Sequence, residues 1–585
     1  MLNLVSAADD HPTDHPEIEW QFDVPDLEPV RAWLPGLSGN EGFTLGGPDT
    51  QALVDSYLDT SDWRVFRCGY ALRIRTVGDR SEATLKELRR RKQDPAKGLE
   101  EGPIVRREIT QPAPKPESPS SRSDPASLPS FAALFSAPGP VADRLRLVLH
   151  PEDLRVLAEI RTMRETFPLL REGRVEGEVT LDRSSLAADA AHPEDQPCLV
   201  RVEIESAAEE SGPLLAFVGR LRAVAGVVEA PESKFEWALK TRGLTPAWMQ
   251  DLGQTEPDSS MTVGEVAYAV LRKQFASFLK HEPGTRLGED PEHLHDMRVA
   301  TRRMRAALRL FEGALPPRET TRLRRELWTV GRLLGKVRDL DVQSAQMEEW
   351  KAALVTVGPE AVAPLLRLLG ARRKQARAKL LRFLDSRRFT LLQGTLSRRL
   401  RGSPPAGRRA AQLPIRAAGP ILIRCERRKL VRVARRIDRS STPAAYHQVR
   451  IRGRRLRYAL EFLEPAYGQP ARKLIDALTA VQDVLGRHQD DQVSMALLRE
   501  LSEETALPGS ARQAIGEMAQ ICAARAESLR GDFPRTWRKL NAKRWSRWKQ
   551  IVRESAGELG AELIRDAKDR LRRPQKITKG SETSS

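Results

Sequence analysis

Cysteine is scarce in this 585-residue chain: Cys68, Cys198, Cys425 and Cys522 lie far apart, with no CxxC pair and no framework spacing. That scarcity suits a reducing cytoplasm and excludes a disulfide-stapled secreted fold. No apolar run approaches the roughly 18–20 residues of a membrane span. The stretch Pro213–Val228, for example, is broken by Arg220 and Arg222. Met1–Pro12 holds acidic residues where a secretory signal needs positive charge and an apolar stretch, so a cytoplasmic location is expected. Also missing are a glycine-rich loop ending in Gly-Lys-Ser/Thr, a GxGxxG turn and an HExxH helix. Any phosphate chemistry must come from side-chain charge rather than from a backbone cradle.

Charge is abundant and unevenly placed. The chain is 40% hydrophobic and 30% charged, as a soluble globular protein is, and its length suggests two to four domains. Residues 1–250 carry 30 Lys and Arg against 41 Asp and Glu, a net −11; the rest carries 67 against 38, a net +29. An acidic first part joined to a strongly basic second part should seek a polyanion through the second.

Residues up to about 245 alternate as strands do. Glu17-Ile-Glu-Trp-Gln-Phe22, Leu72-Arg-Ile-Arg75, Val175–Asp182 and Arg201-Val-Glu-Ile-Glu205 each put polar residues on one face and apolar ones on the other. Gln111–Pro140 holds eight Pro and seven Ser, which predicts a flexible insertion rather than a central strand or helix. Helices are predicted at Pro151–Ala158 and Leu214–Ala225. After a break near Gly243–Ser260 the apolar period becomes 3.6, as in Val266, Val270, Phe275, Phe278 and then Met297, Ala300, Met304, Leu308, Phe311. Gly/Pro stretches at Pro283–Gly284, Pro316–Pro317 and Gly402–Pro405 divide this region into a helical bundle. The fold class is therefore α+β: an antiparallel β domain over 14–245, an all-α bundle over 260–555, and a disordered tail over 573–585.

The basic half repeats itself. His295-Asp-Met-Arg298-Val-Ala-Thr-Arg302-Arg303-Met-Arg305-Ala-Ala-Leu308 recurs 152 residues later as His447-Gln-Val-Arg450-Ile-Arg-Gly-Arg454-Arg455-Leu-Arg457-Tyr-Ala-Leu460. Each copy is followed by a second related piece, Leu334-Gly335-Lys336 with Asp339, and Leu485-Gly486-Arg487 with Asp490. Spacings of three and four put His295, Arg298, Arg302, Arg305 and Arg309 in one helical stripe beside the apolar one. Cations stacked without interleaved carboxylates repel one another unless an anion lies along them. The bland alternative is a solvated or carboxylate-paired face, but a duplicated stripe argues for one groove shared about a pseudo-twofold axis. One histidine per motif, without Cys or carboxylate partners, favours phosphate contact or helix capping over metal ligation.

These paired motifs resemble the CHAD domain, the conserved histidine α-helical domain, whose members bind inorganic polyphosphate through a basic groove. The resemblance implies polyphosphate contacts from His295, Arg298, Arg302, Arg303, Arg305, Lys336, His447, Arg450, Arg454, Arg455, Arg457 and Arg487, and association with polyphosphate granules.

The acidic half resembles the CYTH domain of the triphosphate tunnel metalloenzymes. The motifs are Glu17-Ile-Glu19-Trp-Gln21, Tyr57-Leu-Asp59, Leu72-Arg73-Ile-Arg75, Thr84-Leu-Lys86, Arg106-Arg-Glu108, Arg161-Thr-Met-Arg164, Asp182, Glu203-Ile-Glu205 and Ser233-Lys234. The resemblance implies a closed antiparallel barrel whose lumen binds a triphosphate-containing small molecule through Arg73, Arg75, Lys86, Arg106, Arg161, Arg164 and Lys234. Glu17, Glu19, Asp182, Glu203 and Glu205 would hold Mg²⁺ or Mn²⁺, with Glu17, Glu19 and Gln21 as catalytic positions. Oxygen ligands suit such hard cations, and Mg²⁺ takes one or two carboxylates with substrate phosphates and water. The expected activity is metal-dependent triphosphate hydrolysis. Gln21 departs from the pattern, since the family has lysine there; glutamine keeps hydrogen bonding and loses the charge. Two other readings compete: a non-catalytic, granule-associated polyphosphate-binding protein with a degenerate tunnel, and a nucleic-acid-binding protein. The latter is suggested by Trp537, Trp545 and Trp548 among cations, although tryptophans at helical spacing are more often core residues. Adenylate cyclisation also occurs in the tunnel family.

Overall fold

The computed structural model describes residues 13–37, 43–88, 103–114, 131–187, 197–207, 212, 214–246, 251–405, 407–438, 440–504, 507–541, 545, 548, 550, 554 and 561–572. The chain divides into two compact units, residues 1–248 with 286–289, and residues 249–285 with 290–585.

The first unit contains strands β1 (Thr13–Asp23), β2 (Phe43–Leu45), β3 (Asp49–Thr60), β4 (Tyr70–Val77), β5 (Arg80–Glu87), β6 (Ile104–Ala113), β7 (Leu154–Arg171), β8 (Arg174–Leu186), β9 (Cys198–Ser206) and β10 (Val228–Glu229). Its helices are α1 (Glu28–Trp33), α2 (Arg64–Arg67), α3 (Ala132–Ser136), α4 (Pro140–Val148), α5 (Leu214–Leu221) and α6 (Lys234–Thr241). Eight strands pair in the order β1-β6-β5-β4-β3-β7-β8-β9, and β9 returns to β1, so the sheet closes into an antiparallel barrel. Closure leaves no edge within this ring and sorts alternate side chains into lumen and exterior. Outside β1, β8 and β9 the apolar set Trp20, Phe22, Val179, Leu181, Val202 and Ile204 packs with Val30 of α1 and Phe217 of α5. Glu17 and Glu19 of β1, Asp182 of β8, and Glu203 and Glu205 of β9 face inward, whereas Arg183, next to Asp182, is exposed.

Two local expectations are corrected in this unit. Pro151–Asp153 forms only a 3₁₀ turn, and β7 begins at Leu154. Opposite Tyr57 and Leu58 the register jumps from Ala158 to Val156, so a bulge at Leu157 breaks the alternation that would have marked a strand. Strand β6 runs through Pro112, inside the expected insertion. Among the described residues β1 pairs with β6 only as far as Thr110, and beyond it β5 alone pairs with β6, an edge-like position where the missing N–H of Pro112 is tolerated. Gln111 is buried, and its Oε1 accepts from the N–H groups of Val141 and Ala142 at 3.0 Å, capping α4. The centre of the insertion, 115–130, lies outside the described residues. Strands β7 and β8 join through Glu172 and Gly173, both at positive φ, the two-residue geometry whose twist matches a hairpin.

The second unit is helical: α7 (Val263–Leu287), α8 (Pro291–Leu310), α9 (Pro317–Trp350), α10 (Ala363–Leu384), α11 (Arg387–Arg401), α12 (Ile415–Ala434), α13 (Pro443–Tyr467), α14 (Gln469–Ser502), α15 (Gly509–Asn541) and α16 (Ala561–Arg572). The apolar stripe of α8 is buried in one continuous core with Phe275, Phe278 and Leu460. Pro283 does not break α7 as expected; it sits four residues from the helix end, where little of the hydrogen-bond ladder remains to be lost. The neighbouring Gly284 has a different reason, since a Cβ there would run into the His293 ring of α8. Trp545 and Trp548 are buried in the core and offer no stacking face. No helix among the described residues is long and apolar enough to cross a membrane. The expected tail, 573–585, lies outside the described residues.

Candidate functional site

The barrel lumen collects charge of both signs. Period two places Glu17, Glu19 and Gln21 of β1 inward, and all three are buried. Facing them, Lys86 Nζ stands 2.7 Å from Glu17 Oε2 and 3.3 Å from Glu108 Oε2. Arg106 pairs with both Glu17 and Glu19, and Arg73 Nη2 lies 3.2 Å from Glu108 Oε1. A second group gathers on β7, β8 and β9. There Arg164 holds Asp182 through Nε at 2.8 Å and Nη2 at 2.6 Å, and reaches Glu203 Oε2 at 2.8 Å. Lys234, at the start of α6, pairs with Asp182 and Glu203. Arg75 forms a two-pronged pair with Asp55 at 2.8 Å.

Electrostatically four of the five carboxylates expected to act as one metal set divide into two pairs. Burial alone would raise Asp182 and Glu203, but Lys234 and Arg164 outweigh it and hold both below the usual carboxylate range. Glu17 is pushed up to about 8 by burial, against Lys86, with Glu19, Glu108 and Glu205 adding repulsion. Glu205 rises to about 7, again through burial against Lys86, with Glu178 and Glu108 crowding it. The strand register explains this, because Glu205 stands opposite Glu19 on one side and Glu178 on the other. Gly177, beside them, lets β8 approach closely; a Cβ there would strike the Glu205 carbonyl oxygen.

The raised values of Glu17 and Glu205 mark buried carboxylates crowded against one another, and carboxylate oxygens are the donor type that hard divalent cations take. Among the described residues no group of three or more His, Cys, Asp or Glu is arranged to hold a metal ion unaided. Lys86 and Arg106 stand between the carboxylates, so phosphate oxygens and water would have to complete the shell, the manner in which Mg²⁺ is commonly bound.

Arg161 does not join the site. It lies on the outer barrel face, 67% exposed, with Glu159 at 3.3 Å. Sequence reasoning left it beside Arg164 as an equal candidate, but residues three apart on a strand point to opposite faces. It also missed Arg201, which is fully buried on the face of Glu203 and Glu205. Arg201 pairs with Asp23 at 2.8 Å and donates to Gln21 Oε1 at 3.4 Å. Alternation along β9 was the signal that could have found it. Gln21 in turn donates to Glu19 Oε1 at 3.0 Å. Asp59 plays a structural part, accepting from the N–H groups of Thr60, Val65 and Phe66 to organise the turn into α2.

In the helical unit the two copies meet. Arg302 of α8 and its equivalent Arg454 of α13 line one cleft of about 610 Å³ together with Arg450, Arg457 and, from α14, Arg487. Burial and the neighbouring Arg450 and Arg302 hold Arg454 down at about 10, the mark of cations crowded without enough anions. Tyr458 centres the group: Arg302 Nε donates to its hydroxyl at 2.6 Å, and Arg302, Arg303 and Arg457 pack 5.3–5.8 Å from its ring centre. The first copy has Ala306 at that position, a mismatch visible in the aligned motifs. Arg305 and Arg455 line a second cleft, again with Arg302 and Arg454.

Other motif residues are turned to neighbours. Arg298 lies 3.3 Å from Asp339 and crosses Gly335, while Arg303 pairs with Glu461 at 2.6 Å. His447 Nδ1 meets Gln489 Oε1 at 2.6 Å, and His295 Nδ1 is buried with no hydrogen-bond partner among the described residues. Lys336 and Arg487 are exposed.

A CYTH domain model matches residues 16–218 and a CHAD domain model matches residues 269–499. Among solved structures, PptA from Streptomyces chartreusis is 21% identical, with 47% of this chain and 99% of PptA covered and a TM-score of 0.40. The CHAD domain from the plant Ricinus communis is 26% identical, with 50% and 96% covered and a TM-score of 0.42. HpAC1 from Hippeastrum, described as a candidate adenylyl cyclase with a dominant triphosphatase activity, is 18% identical, with 39% and 97% covered and a TM-score of 0.27. Comparison with curated proteins finds no match. Barrel and helices together identify the chain as a CYTH domain followed by a CHAD domain.

Proposed function

We propose that the helical unit binds inorganic polyphosphate in its arginine cleft and that the barrel hydrolyses a triphosphate with the help of Mg²⁺ or Mn²⁺. The observation that carries the first part is the convergence of Arg302 and Arg454, equivalent residues of the two copies, on one cleft. Guanidinium groups suit phosphate oxygens, and a linear anion without bases needs no stacking platform; the ring of Tyr458 is occupied by Arg302, Arg303 and Arg457. The burial of Trp545 and Trp548 favours this over nucleic acid, with Trp537 half-buried against the same core.

In the barrel, Arg73, Arg75, Lys86 and Arg106 would hold the phosphoryl oxygens, and Arg164 and Lys234 the rest of the triphosphate. Asp182 and Glu203 keep the last two cations in position. Glu17, Glu19 and Glu205 would hold the divalent ion, which when bound polarises a phosphoryl oxygen. The lumen cations stabilise the charge that develops as a water oxygen forms the new P–O bond and the bridging P–O bond breaks.

A second reading, a binding tunnel without turnover, is favoured by one observation: Gln21 brings no charge and is tied to Glu19 and Arg201. In that case the protein is a polyphosphate-binding component of granules. Phosphate release measured with tripolyphosphate, nucleoside triphosphates, thiamine triphosphate and long-chain polyphosphate, with and without Mg²⁺ or Mn²⁺, separates the two. Polyphosphate binding is tested by competition against charge-matched single-stranded and duplex nucleic acid at fixed ionic strength.

A further inference from the structure

The second cleft of the helical unit differs in kind from the first. It has a volume of about 300 Å³ and lies among α8, α12 and α13. Its floor is apolar, made by Ala306, Leu310, Ile451 and Phe462, and its rim carries Arg305, Arg309 and Arg455. Inorganic polyphosphate has nothing to place on such a floor. Arg302, Arg454 and Tyr458 also line it, and one carboxylate faces in, Glu426 of α12, which is only 8% exposed. Its Oε1 accepts from Lys429, while its Oε2 is buried with no hydrogen-bond partner among the described residues. An unmatched buried carboxylate oxygen is costly, so a donor arriving there would be strongly favoured.

These features ask for a ligand in three parts: an anion for the arginines, a flat apolar body for the floor, and an N–H or O–H group for Glu426. The geometry points to a nucleoside di- or triphosphate, with its base on Leu310 and Phe462, an amino or ribose hydroxyl group donating to Glu426 Oε2, and phosphates along Arg305, Arg309 and Arg455. An acyl phosphate would fill the floor but bring no donor. Burial and the neighbouring Arg309 and Arg452 hold Arg455 down at about 10, although Glu426 acts on it in the opposite sense, so the rim carries more cations than this one carboxylate balances. Arg302 and Arg454 border both clefts, so nucleotide and polyphosphate draw on two shared guanidinium groups and should weaken each other's binding. The nucleotide site does not depend on the polyphosphate reading.

The test is photo-crosslinking of the full chain with 8-azido-ATP in chelator, followed by mapping of the labelled peptides. Label is expected within 306–310 or 451–462, displaced by ATP at about one-tenth the concentration of tripolyphosphate needed, as a charge-assisted bond plus base packing should give. Ala306→Phe, which fills the floor, should reduce this label about tenfold or more, a cost in line with overpacking a filled site. Glu426→Gln, which keeps the shape, should weaken ATP about tenfold and leave tripolyphosphate competition unchanged. Label confined to barrel peptides would overturn the proposal. So would displacement by tripolyphosphate as effective as by ATP, or label in a folded Ala306→Phe variant equal to the unaltered chain's.

Discussion

Glu19 and Glu205 stand directly opposite each other on β1 and β9, both in the barrel lumen, at the seam that closes the sheet. Like charges in that relation are destabilising unless a cation is shared between them. Glu205 has no ion-pair partner among the described residues, so a cation brought to it would relieve that repulsion.

Glu205→Gln should therefore separate the metal from the fold. Metal-dependent phosphate release should fall by about a hundredfold or more, the scale of losing a key electrostatic group. The variant should melt no lower than the unaltered chain in chelator, and it should lose the rise in melting temperature that Mg²⁺ or Mn²⁺ confers. Retained turnover, read by phosphate release, would remove Glu205 from the site.

Position 21 can be examined in the opposite direction. Gln21→Lys would place an ammonium between Glu19 and the facing Glu203. We expect kcat to rise with KM changed less, measured on tripolyphosphate. An unchanged rate would mean that buried Arg201 already supplies the missing cation.

Arg161 and Arg164 should respond differently, although sequence motifs treat them alike. Arg161→Ala removes an exposed outer-face pair and should change triphosphate affinity by less than about twofold. Arg164→Lys keeps the charge but loses the two-pronged hold on Asp182, and should weaken binding about tenfold or more. Calorimetric titration with a non-hydrolysed triphosphate distinguishes them.

For the arginine cleft, Arg454→Glu combined with Arg457→Glu should weaken long-chain polyphosphate by at least about a hundredfold at low salt. The dependence of log affinity on log salt should also become shallower as fewer counterions are released.

Acid should tighten polyphosphate binding. Asp490 lines the cleft, and burial raises it above its ordinary value, as it does Asp339. Each loses its charge as pH falls through its raised pKa, which removes an anion from the path of the ligand. Asp490→Asn should tighten binding at pH 7 by about twofold to fivefold, the range of exposed charge pairs. It should also flatten the pH profile through the range just above the ordinary aspartate value. Fluorescence titration across that range reads both effects.

Local spacing by itself determined a good deal of this protein. Period two put Glu17, Glu19 and Gln21 on one face, and Glu203 with Glu205 on another, because side chains on a strand must alternate. Period 3.6 separated the arginine stripe of α8 from its buried apolar stripe, and the repeated motif announced two equivalent helices. The same spacing could not say which distant face each would meet. Closure of β9 onto β1 decided that Glu205 faces Glu19 rather than a cation, while Asp182 and Glu203 are neutralised by Arg164 and Lys234. A bulge at Leu157 hid the start of β7, since one extra residue inverts the alternation on which a strand is recognised. Packing of helices distant in sequence brought Tyr458 beneath Arg302, and Glu426 beside an apolar floor belonging to α8 and α13. Sequence periodicity fixes direction about an element's own axis. Partners across the fold are chosen by which surfaces lose water together, and only the tertiary structure carries that choice.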